Sequence, residues 1–260
     1  MVINSSGEPS LLAIAVGNTR TSWAMFRGRE SQPPGAEPNA GAGAALAGVV
    51  EEANPGLVAL ASVNGPVADA LAASLAESGF QVLRLGRDVA PPLRHSLEDA
   101  STLGIDRALN AVAAFDLVGA ACAIIDAGTA ITVDFIDGEG TFHGGGIAPG
   151  VNMMLRALHD HTAALPLVSF EAQEPSRGPF GKDTRHAMQL GAAAAARGLV
   201  RDLVERYAEA YEAYPRVIAT GGDAAPLFDD DGLVERIIPE LQLIGIQRTI
   251  ERALTDRGAE

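Results

Sequence analysis

An internal repeat of strand, glycine turn and strand constrains the fold of this chain more than any other feature. Residues 11–26 read LLAIAVGNTRTSWAMF and residues 122–136 read CAIIDAGTAITVDFI, so each segment places a glycine between two apolar, β-branched runs. Aligning Gly17 with Gly128 also aligns a threonine just beyond each glycine and sets Ala15 opposite Asp126. A unit that recurs once in each half indicates a duplicated domain. We therefore predict two halves, residues 1–118 and residues 119–260.

Strand and helix patterns alternate after each repeat unit, which predicts an α/β fold. In the first half we expect strands over 57–63 and 80–85 and helices over 66–78 and 106–117. In the second half we expect strands over 141–147 and 215–220 and helices over 150–163 and 184–207. The segment 28–46 is rich in Pro, Gly and Ala, and we expect it to be a loose surface connection.

The composition excludes several classes of partner. The chain has 260 residues, 47% of them hydrophobic and 20% charged, and a net charge of −14 that would repel nucleic acid and anionic membranes. No apolar run is long enough to span a bilayer, and the first ten residues lack the pattern of a signal peptide, so we expect a cytoplasmic protein. Cys122 lies in an apolar run and is expected to be a small buried hydrophobe, and we predict no zinc site.

Three glycine turns follow predicted strands: Gly17-Asn18-Thr19, Gly128-Thr129 and Thr220-Gly221-Gly222. Glycine lets backbone N–H groups approach an anion closely, and Thr or Asn adds neutral donors without the bulk of lysine. Each turn alone is equally typical of a hairpin or of a strand-to-helix connection. Their recurrence in both halves favours a nucleotide-binding protein.

Two aspartates are candidates for chemistry. Asp106 stands at the start of a predicted helix, where it could be an ordinary N-terminal cap or a general base for a substrate hydroxyl, and the neighbouring Arg107 suits a substrate carboxylate. Asp126 ends a buried apolar strand, which is costly unless the carboxylate is hydrogen-bonded or binds a cation. Asp134 and Asp137 are interpreted as turn or surface groups, and the run GGGIAPG at 144–150 is expected only to allow close backbone packing.

These motifs together resemble the type III pantothenate kinases, a family of the acetate and sugar kinase, heat-shock protein and actin superfamily. The resemblance covers almost the whole chain in six ordered blocks: Val16–Thr19, Gly104–Arg107, Asp126–Ala130, Gly144–Gly150, Thr184 with Gly191, and Thr220–Gly222. It implies duplicated ribonuclease-H-like (actin-like ATPase) domains with a nucleotide cleft between them. It also implies ATP-dependent phosphorylation of pantothenate to 4'-phosphopantothenate, the first step of coenzyme A biosynthesis.

The resemblance assigns roles residue by residue. Asp106 would be the proton acceptor, and Asp126 would bind a monovalent cation, potassium or ammonium. Pantothenate would contact Gly104, Ile105, Asp106, Arg107 and Thr184. The phosphates of ATP, bound with a divalent cation such as magnesium, would contact Ala15, Val16, Gly17, Asn18, Thr19, Arg20, Thr21, Ser22 and Thr129. Members of the family are homodimers.

Two positions depart from the family pattern. Ala15 stands where the family has an aspartate that organises magnesium and phosphates, and Leu97 stands where the family usually offers a tyrosine to the substrate. Ala15 leaves open an alternative, a catalytically impaired kinase-like protein that binds nucleotide or pantothenate in a regulatory role. Leu97 leaves open a second alternative, a kinase for another small hydroxy acid.

Overall fold

The computed structural model describes residues 10–172 and 175–258. They form two compact units, which are described separately. The first unit contains the chain up to Leu93, Glu98–Asp116 and the chain from Glu240 onward, and the second contains Arg94–Leu97 and Leu117–Pro239. Among the described residues, no helix is both long and apolar enough to cross a membrane.

The first unit is built on one sheet with helices on both faces. Its strands are β1 (Ser10–Val16), β2 (Arg20–Arg27), β3 (Glu30–Ser31), β4 (Gly35–Pro38), β5 (Leu57–Ser62) and β6 (Val82–Arg84). Its helices are α1 (Asn39–Ala53), α2 (Gly65–Glu77), α3 (Ile105–Val118) and α7 (Leu241–Gly258), with a 3-10 turn over Ala100–Thr102. The strand order is β3-β2-β1-β5-β6, with β4 pairing with β2.

The second unit repeats that arrangement. Its strands are β7 (Arg94–His95), β8 (Cys122–Ala127), β9 (Ala130–Ile136), β10 (Thr141–Pro149), β11 (Arg216–Thr220) and β12 (Arg236–Ile237). Its helices are α4 (Val151–Asp160), α5 (Thr184–Tyr211) and α6 (Ala224–Phe228), with a 3-10 turn over Pro175–Arg177. The order β12-β11-β8-β9-β10 matches β6-β5-β1-β2-β3 of the first unit, and β7 adds to the free side of β10. In each sheet three successive strands are antiparallel, β1-β2-β3 and β8-β9-β10. A later strand pairs parallel with the first of them, β5 with β1 and β11 with β8.

Alternate side chains of the first strand serve two cores, which explains its unbroken apolar run. Leu12, Ile14 and Val16 pack with α1 and α2, while Leu11, Ala13 and Ala15 pack with residues of α3 and α7. A strand covered on both faces needs apolar residues at every position rather than at every second one. The buried run predicted for β1 is therefore confirmed.

Most predicted elements are confirmed within a few residues, but the segment 28–46 is not a loose connection. It contains β3, β4 and the first half of α1. Helix α1 buries Ala42, Leu46 and Val50, which recur every four residues and so share one face of the helix. Glycine and proline disfavour a helix, but here tertiary packing outweighs their low helix propensity.

The position of the last helix, α7, does not follow the predicted division of the chain at residue 118. The first unit ends its central segment at Asp116, and α7, which the prediction placed in the second half, packs instead in the core of the first unit. Gly245 makes this possible, because a Cβ there would lie 2.2 Å from the carbonyl oxygen of Leu109 in α3. The sequence could not predict this packing, because it depends on contacts between residues that are far apart in the chain.

Candidate functional site

The glycine turn of the first unit joins β1 to β2 over Gly17, Asn18 and Thr19. The backbone N–H of Gly17 donates to the carbonyl of Arg20 at 2.9 Å, and Asn18, Thr19 and Arg20 are exposed. Ala15 and Val16, just before the turn, are buried, with Ala15 only 2% exposed. The turn is therefore exposed, whereas the end of β1 that precedes it is buried and apolar.

The matching turn of the second unit joins β8 to β9 over Gly128 and Thr129. Here the N–H of Gly128 donates to the carbonyl of Ala130 at 3.0 Å. Ala15 is paired with Ser22 and with Ala61, and Asp126 is paired with Thr132 and with Thr220. These registers confirm the alignment of Ala15 with Asp126 that the sequence repeat predicts.

The third glycine turn lies directly against the second. Gly221 has φ +94°, and a Cβ there would lie 2.3 Å from the carbonyl oxygen of Ala127 and 2.7 Å from Oδ1 of Asp126. The backbone N–H of Asp223 donates to the carbonyl of Ala127 at 2.9 Å. Residues 126–129 and 220–223 therefore form one glycine-lined surface at the carboxyl ends of β8 and β11, the edge at which open α/β sheets bind ligands.

The run GGGIAPG packs closely, as predicted, and its last glycine reaches this surface. A Cβ on Gly145 would lie 2.0 Å from the carbonyl oxygen of Val133, and a Cβ on Gly150 would lie 2.1 Å from that of Gly128. The N–H of Gly150 also donates to the carbonyl of Thr129 at 3.0 Å. The contact with the Gly128 turn was not foreseen.

Asp126 and Asp223 bring carboxylates to this surface. The Asp126 side chain is partly exposed, with Oδ1 beside Gly221. Burial raises the pKa of Asp223, and a side-chain hydrogen bond with Asn152 opposes part of that rise. Sequence reasoning missed Asp223 and Asn152; the signal available was an acidic residue immediately after the turn Thr220-Gly221-Gly222.

Asp134 is not the turn or surface group that was predicted. It lies in β9 and is buried, opposite Gly145 of β10. Asp137 does lie in the turn after β9, where its Oδ1 accepts from the N–H groups of Glu139 and Thr141, each at 2.9 Å. In the alternation of β9, Asp134 falls with Thr132 at positions that alternate with the apolar Val133 and Phe135, so the local pattern gave no sign of its burial.

The segment Gly104–Arg107 begins α3 in the first unit. Helix α3 starts at Ile105, so Asp106 is its second residue rather than its cap, and its Oδ1 accepts from the N–H of Arg107 at 2.9 Å. A Cβ on Gly104 would lie 2.5 Å from that same Oδ1. Ile105 packs in the cluster that contains Ala15, so both candidate segments of the first unit border one core.

Thr184 and Leu97 belong to the second unit. Thr184 is the exposed first residue of α5, whose cap is Asp183, and Asp183 Oδ1 accepts from the N–H of His186 at 2.8 Å. Leu97 follows β7, and a Cβ on Gly144 would lie 3.0 Å from its Cδ2. Leu97 is therefore held against β10 rather than standing clear in solvent.

The repeated sheet order defines the class: this is a duplicated ribonuclease-H-like fold of the actin-like ATPase type. Component A of (R)-2-hydroxyglutaryl-CoA dehydratase from Acidaminococcus fermentans shares it, with a TM-score of 0.53 and 15% identity over 96% of this chain and 99% of that one. So does the activator of 2-hydroxyisocaproyl-CoA dehydratase from Clostridium difficile with bound ADPNP, with a TM-score of 0.53 and 9% identity over 96% and 98%. At these identities the likeness concerns the fold alone.

Residues 11–206 match the family model described as type III pantothenate kinase, and the chain belongs to that family. The type III pantothenate kinase of Rhodopirellula baltica is 40% identical over 179 residues, 66% of this chain and 63% of that protein. That of Rhodospirillum rubrum is 43% identical over 151 residues, 58% of this chain and 57% of that protein. The alignments therefore span less than two thirds of these relatives' own length.

Proposed function

We propose that this protein phosphorylates pantothenate with ATP, giving 4'-phosphopantothenate and ADP, the first step of coenzyme A biosynthesis. The observation that carries the proposal is the equivalence of the Gly17 and Gly128 turns, which end matching strands of two matching sheets in a chain of a kinase family. Glycine turns at strand ends present backbone N–H groups to phosphate oxygens.

In the proposed reaction the primary hydroxyl oxygen of pantothenate forms a bond to the γ-phosphorus of ATP. The bond from that phosphorus to the β,γ-bridging oxygen breaks, ADP leaves with the electron pair, and the hydroxyl proton passes to the carboxylate of Asp106. Positioning and charge stabilisation supply most of the catalysis in such transfers. Arg107 would hold the pantothenate carboxylate in a bidentate fork, with Gly104, Ile105 and Thr184 as further contacts.

The phosphates of ATP would lie on residues 15–22 and on Thr129. Ala15, Val16 and Thr21 are at most 2% exposed, so their contributions would be indirect. Asn18, Thr19 and Arg20 are exposed and would make the direct contacts, with the partly exposed Gly17 and Ser22 beside them. This division between direct and indirect contacts is part of the proposal.

Cations complete the proposal. The partly exposed Asp126 carboxylate at the end of β8 is an anionic oxygen donor suited to potassium or ammonium, and a divalent cation such as magnesium would accompany ATP. Bound there, such ions would neutralise phosphate charge. Ala15 brings no carboxylate to the first turn, so the protein's own charge near magnesium would come from elsewhere.

We also propose a cytoplasmic homodimer. Residues Ala187, Gly191, Ala194 and Ala195 form an exposed small-residue face of α5, which allows close approach of another helix. Light scattering coupled to gel filtration would give the mass of the particle, and a monomer at micromolar concentration would contradict the homodimer.

The test is mass-spectrometric detection of phosphopantothenate after incubation with ATP, magnesium, potassium and pantothenate. The natural protein should form product, and Asp106→Asn should lose about 10²–10⁴-fold in rate, because the proton acceptor is removed. Product from Ala15→Asp but not from the natural protein would instead identify an impaired kinase. No product from the natural protein, Ala15→Asp or Asp106→Asn would contradict pantothenate as the substrate, and a panel of small hydroxy acids would then test Leu97.

A further inference from the structure

Asn39 donates hydrogen bonds to the backbone carbonyl groups of the first glycine turn. Its side-chain Nδ2 donates to the carbonyl of Gly17 at 3.1 Å and to that of Asn18 at 3.0 Å. Its backbone N–H donates to the carbonyl of Thr19 at 3.1 Å. Three successive carbonyl oxygens of the turn are thus bound by one residue.

The orientation of the Asn39 amide is set by the buried Thr21. The hydroxyl of Thr21 donates to Oδ1 of Asn39 at 2.9 Å, and the Thr21 side chain is 0% exposed. If the amide were flipped, its oxygen would face two carbonyl oxygens and its NH₂ would face the hydroxyl. The network therefore selects the orientation in which Nδ2 points at the turn.

The backbone around Asn39 brings it to this place. Strand β4 pairs antiparallel with β2, with Pro38 opposite Arg20 and Glu37 opposite Thr21, and Asn39 follows as the first residue of α1. Asn64 assists from the start of α2, where its Nδ2 donates to the carbonyl of Asn18 at 3.3 Å. Two helix starts thus hold the same side of the turn.

Binding the carbonyls on one side has a consequence for the N–H groups. In a planar trans peptide the carbonyl oxygen and the following N–H point in opposite directions. The N–H groups of Asn18 and Thr19 are therefore directed away from Asn39, and both residues are exposed. Carbonyl oxygens turned towards a phosphate would repel it, whereas N–H groups attract it.

We propose that Asn39 is a positioning residue for ATP: it holds the carbonyls of Gly17 and Asn18 away from the phosphates so that the turn presents its N–H side. This inference rests on the proposed function, because it takes the ligand of the turn to be the ATP phosphates. Aspartate could not replace Asn39, since a carboxylate has no hydrogen to donate to a carbonyl and would add negative charge behind the turn.

The test compares ATP and pantothenate in the same variants. Asn39→Ala and Asn39→Asp should each raise the KM for ATP and the Kd of magnesium-ATP about tenfold or more, because hydrogen bonds that orient a charged ligand site are lost. The KM for pantothenate should change less than about twofold, a split that a general loss of structure would not give. Thr21→Val should act in the same direction but less strongly, because only the anchor of the amide is lost.

Glu51→Ala is the matched control, since Glu51 is an exposed residue of the same helix and should leave both constants unchanged. Calorimetric titration with magnesium-ATP keeps this test independent of turnover.

If the natural protein binds ATP and Asn39→Ala binds it equally well, the inference fails while the proposed function stands. If the natural protein binds ATP but forms no phosphopantothenate, the proposed substrate fails and the Kd values still decide the role of Asn39. Absence of ATP binding by the natural protein would overturn both.

Discussion

Ala15 of β1 and Asp126 of β8 occupy equivalent strand positions, each paired across its hairpin with a hydroxyl residue, Ser22 or Thr132. Their surroundings differ. Ala15 packs in an apolar cluster with Ile105 and Leu109, whereas the Asp126 side chain is partly exposed beside Gly221. The same backbone position therefore holds a partly exposed acidic residue, Asp126, in one unit and a buried core residue, Ala15, in the other.

We expect Ala15→Asp to destabilise the protein. Ala15 is only 2% exposed, and a polar group buried there without a partner should lower the free energy of unfolding by about 1–3 kcal/mol. Magnesium-ATP should recover part of the loss if the new carboxylate meets the cation, because a ligand that binds only the folded state stabilises it. Urea denaturation with and without magnesium-ATP measures both effects. Ala15→Asn separates size from charge, and equal stability of all three proteins would contradict the expectation.

Gly104→Ala should impair activity more than stability. The new Cβ would lie 2.5 Å from Oδ1 of Asp106, so the carboxylate must move, and displacing the proposed proton acceptor by about 1 Å should cost about a hundredfold in rate. The unfolding free energy should change by less than about 1 kcal/mol, because a side-chain end can yield. Steady-state kinetics and urea denaturation check the two halves of the prediction.

The matched control for that substitution is Gly48→Ala in α1. No atom of the described residues lies within 4 Å of the Cβ added at Gly48, so alanine should stabilise the helix by about 0.5–1 kcal/mol and leave the rate unchanged. A Gly104→Ala protein with the natural rate would show that the Asp106 carboxylate does not act from this position.

Gly221 and Gly222 should respond differently to alanine. Gly221 has φ +94° and its added Cβ would lie 2.3 Å from the carbonyl oxygen of Ala127, whereas a Cβ on Gly222 has no atom within 4 Å in the part of the chain that the structure describes. Gly221→Ala should therefore lower the unfolding free energy by more than about 2 kcal/mol, and Gly222→Ala should change it by less than about 1 kcal/mol. Thermal and urea denaturation of the pair provide the measurement, and similar losses in both would argue against the close contact at Gly221.

Asp137→Asn should change how stability depends on pH. Burial raises the pKa of Asp137, but hydrogen bonds from His143 and from the N–H groups of Thr141 and Glu139 outweigh it, so the pKa lies below its ordinary value. The folded protein then binds fewer protons than the unfolded chain in that interval. The stabilisation is present above the ordinary carboxyl range and is lost as pH falls through the lowered pKa.

The natural protein should therefore be more stable than Asp137→Asn at neutral pH, and the difference should shrink on acidification. Urea denaturation at a series of pH values measures it, with the exposed Asp230→Asn as control. A difference that does not vary with pH would contradict the assignment of the stabilisation to the ionised carboxylate.

The sequence by itself determined the duplication and its register. The apolar strand ends, the glycines at 17 and 128 and the threonines beyond them are local signals, and the hydrogen-bonded pairing reproduces their alignment. The sequence also predicted that Asp106 lies near the start of a helix and that Thr220-Gly221-Gly222 forms a turn. Both are local features, because neighbouring residues determine caps, turns and strands.

Only the tertiary structure decided which distant segments meet at these turns. Asn39 lies in a segment whose prolines and glycines predicted a loose loop, yet the pairing of β4 with β2 places its amide against the Gly17 turn. Helix α7 follows the second sheet in sequence and packs in the first unit, and the burial that raises the pKa of Asp223 arises from its surroundings in the folded unit. Such contacts depend on chain segments that are far apart in sequence, so no local pattern of residue types encodes them.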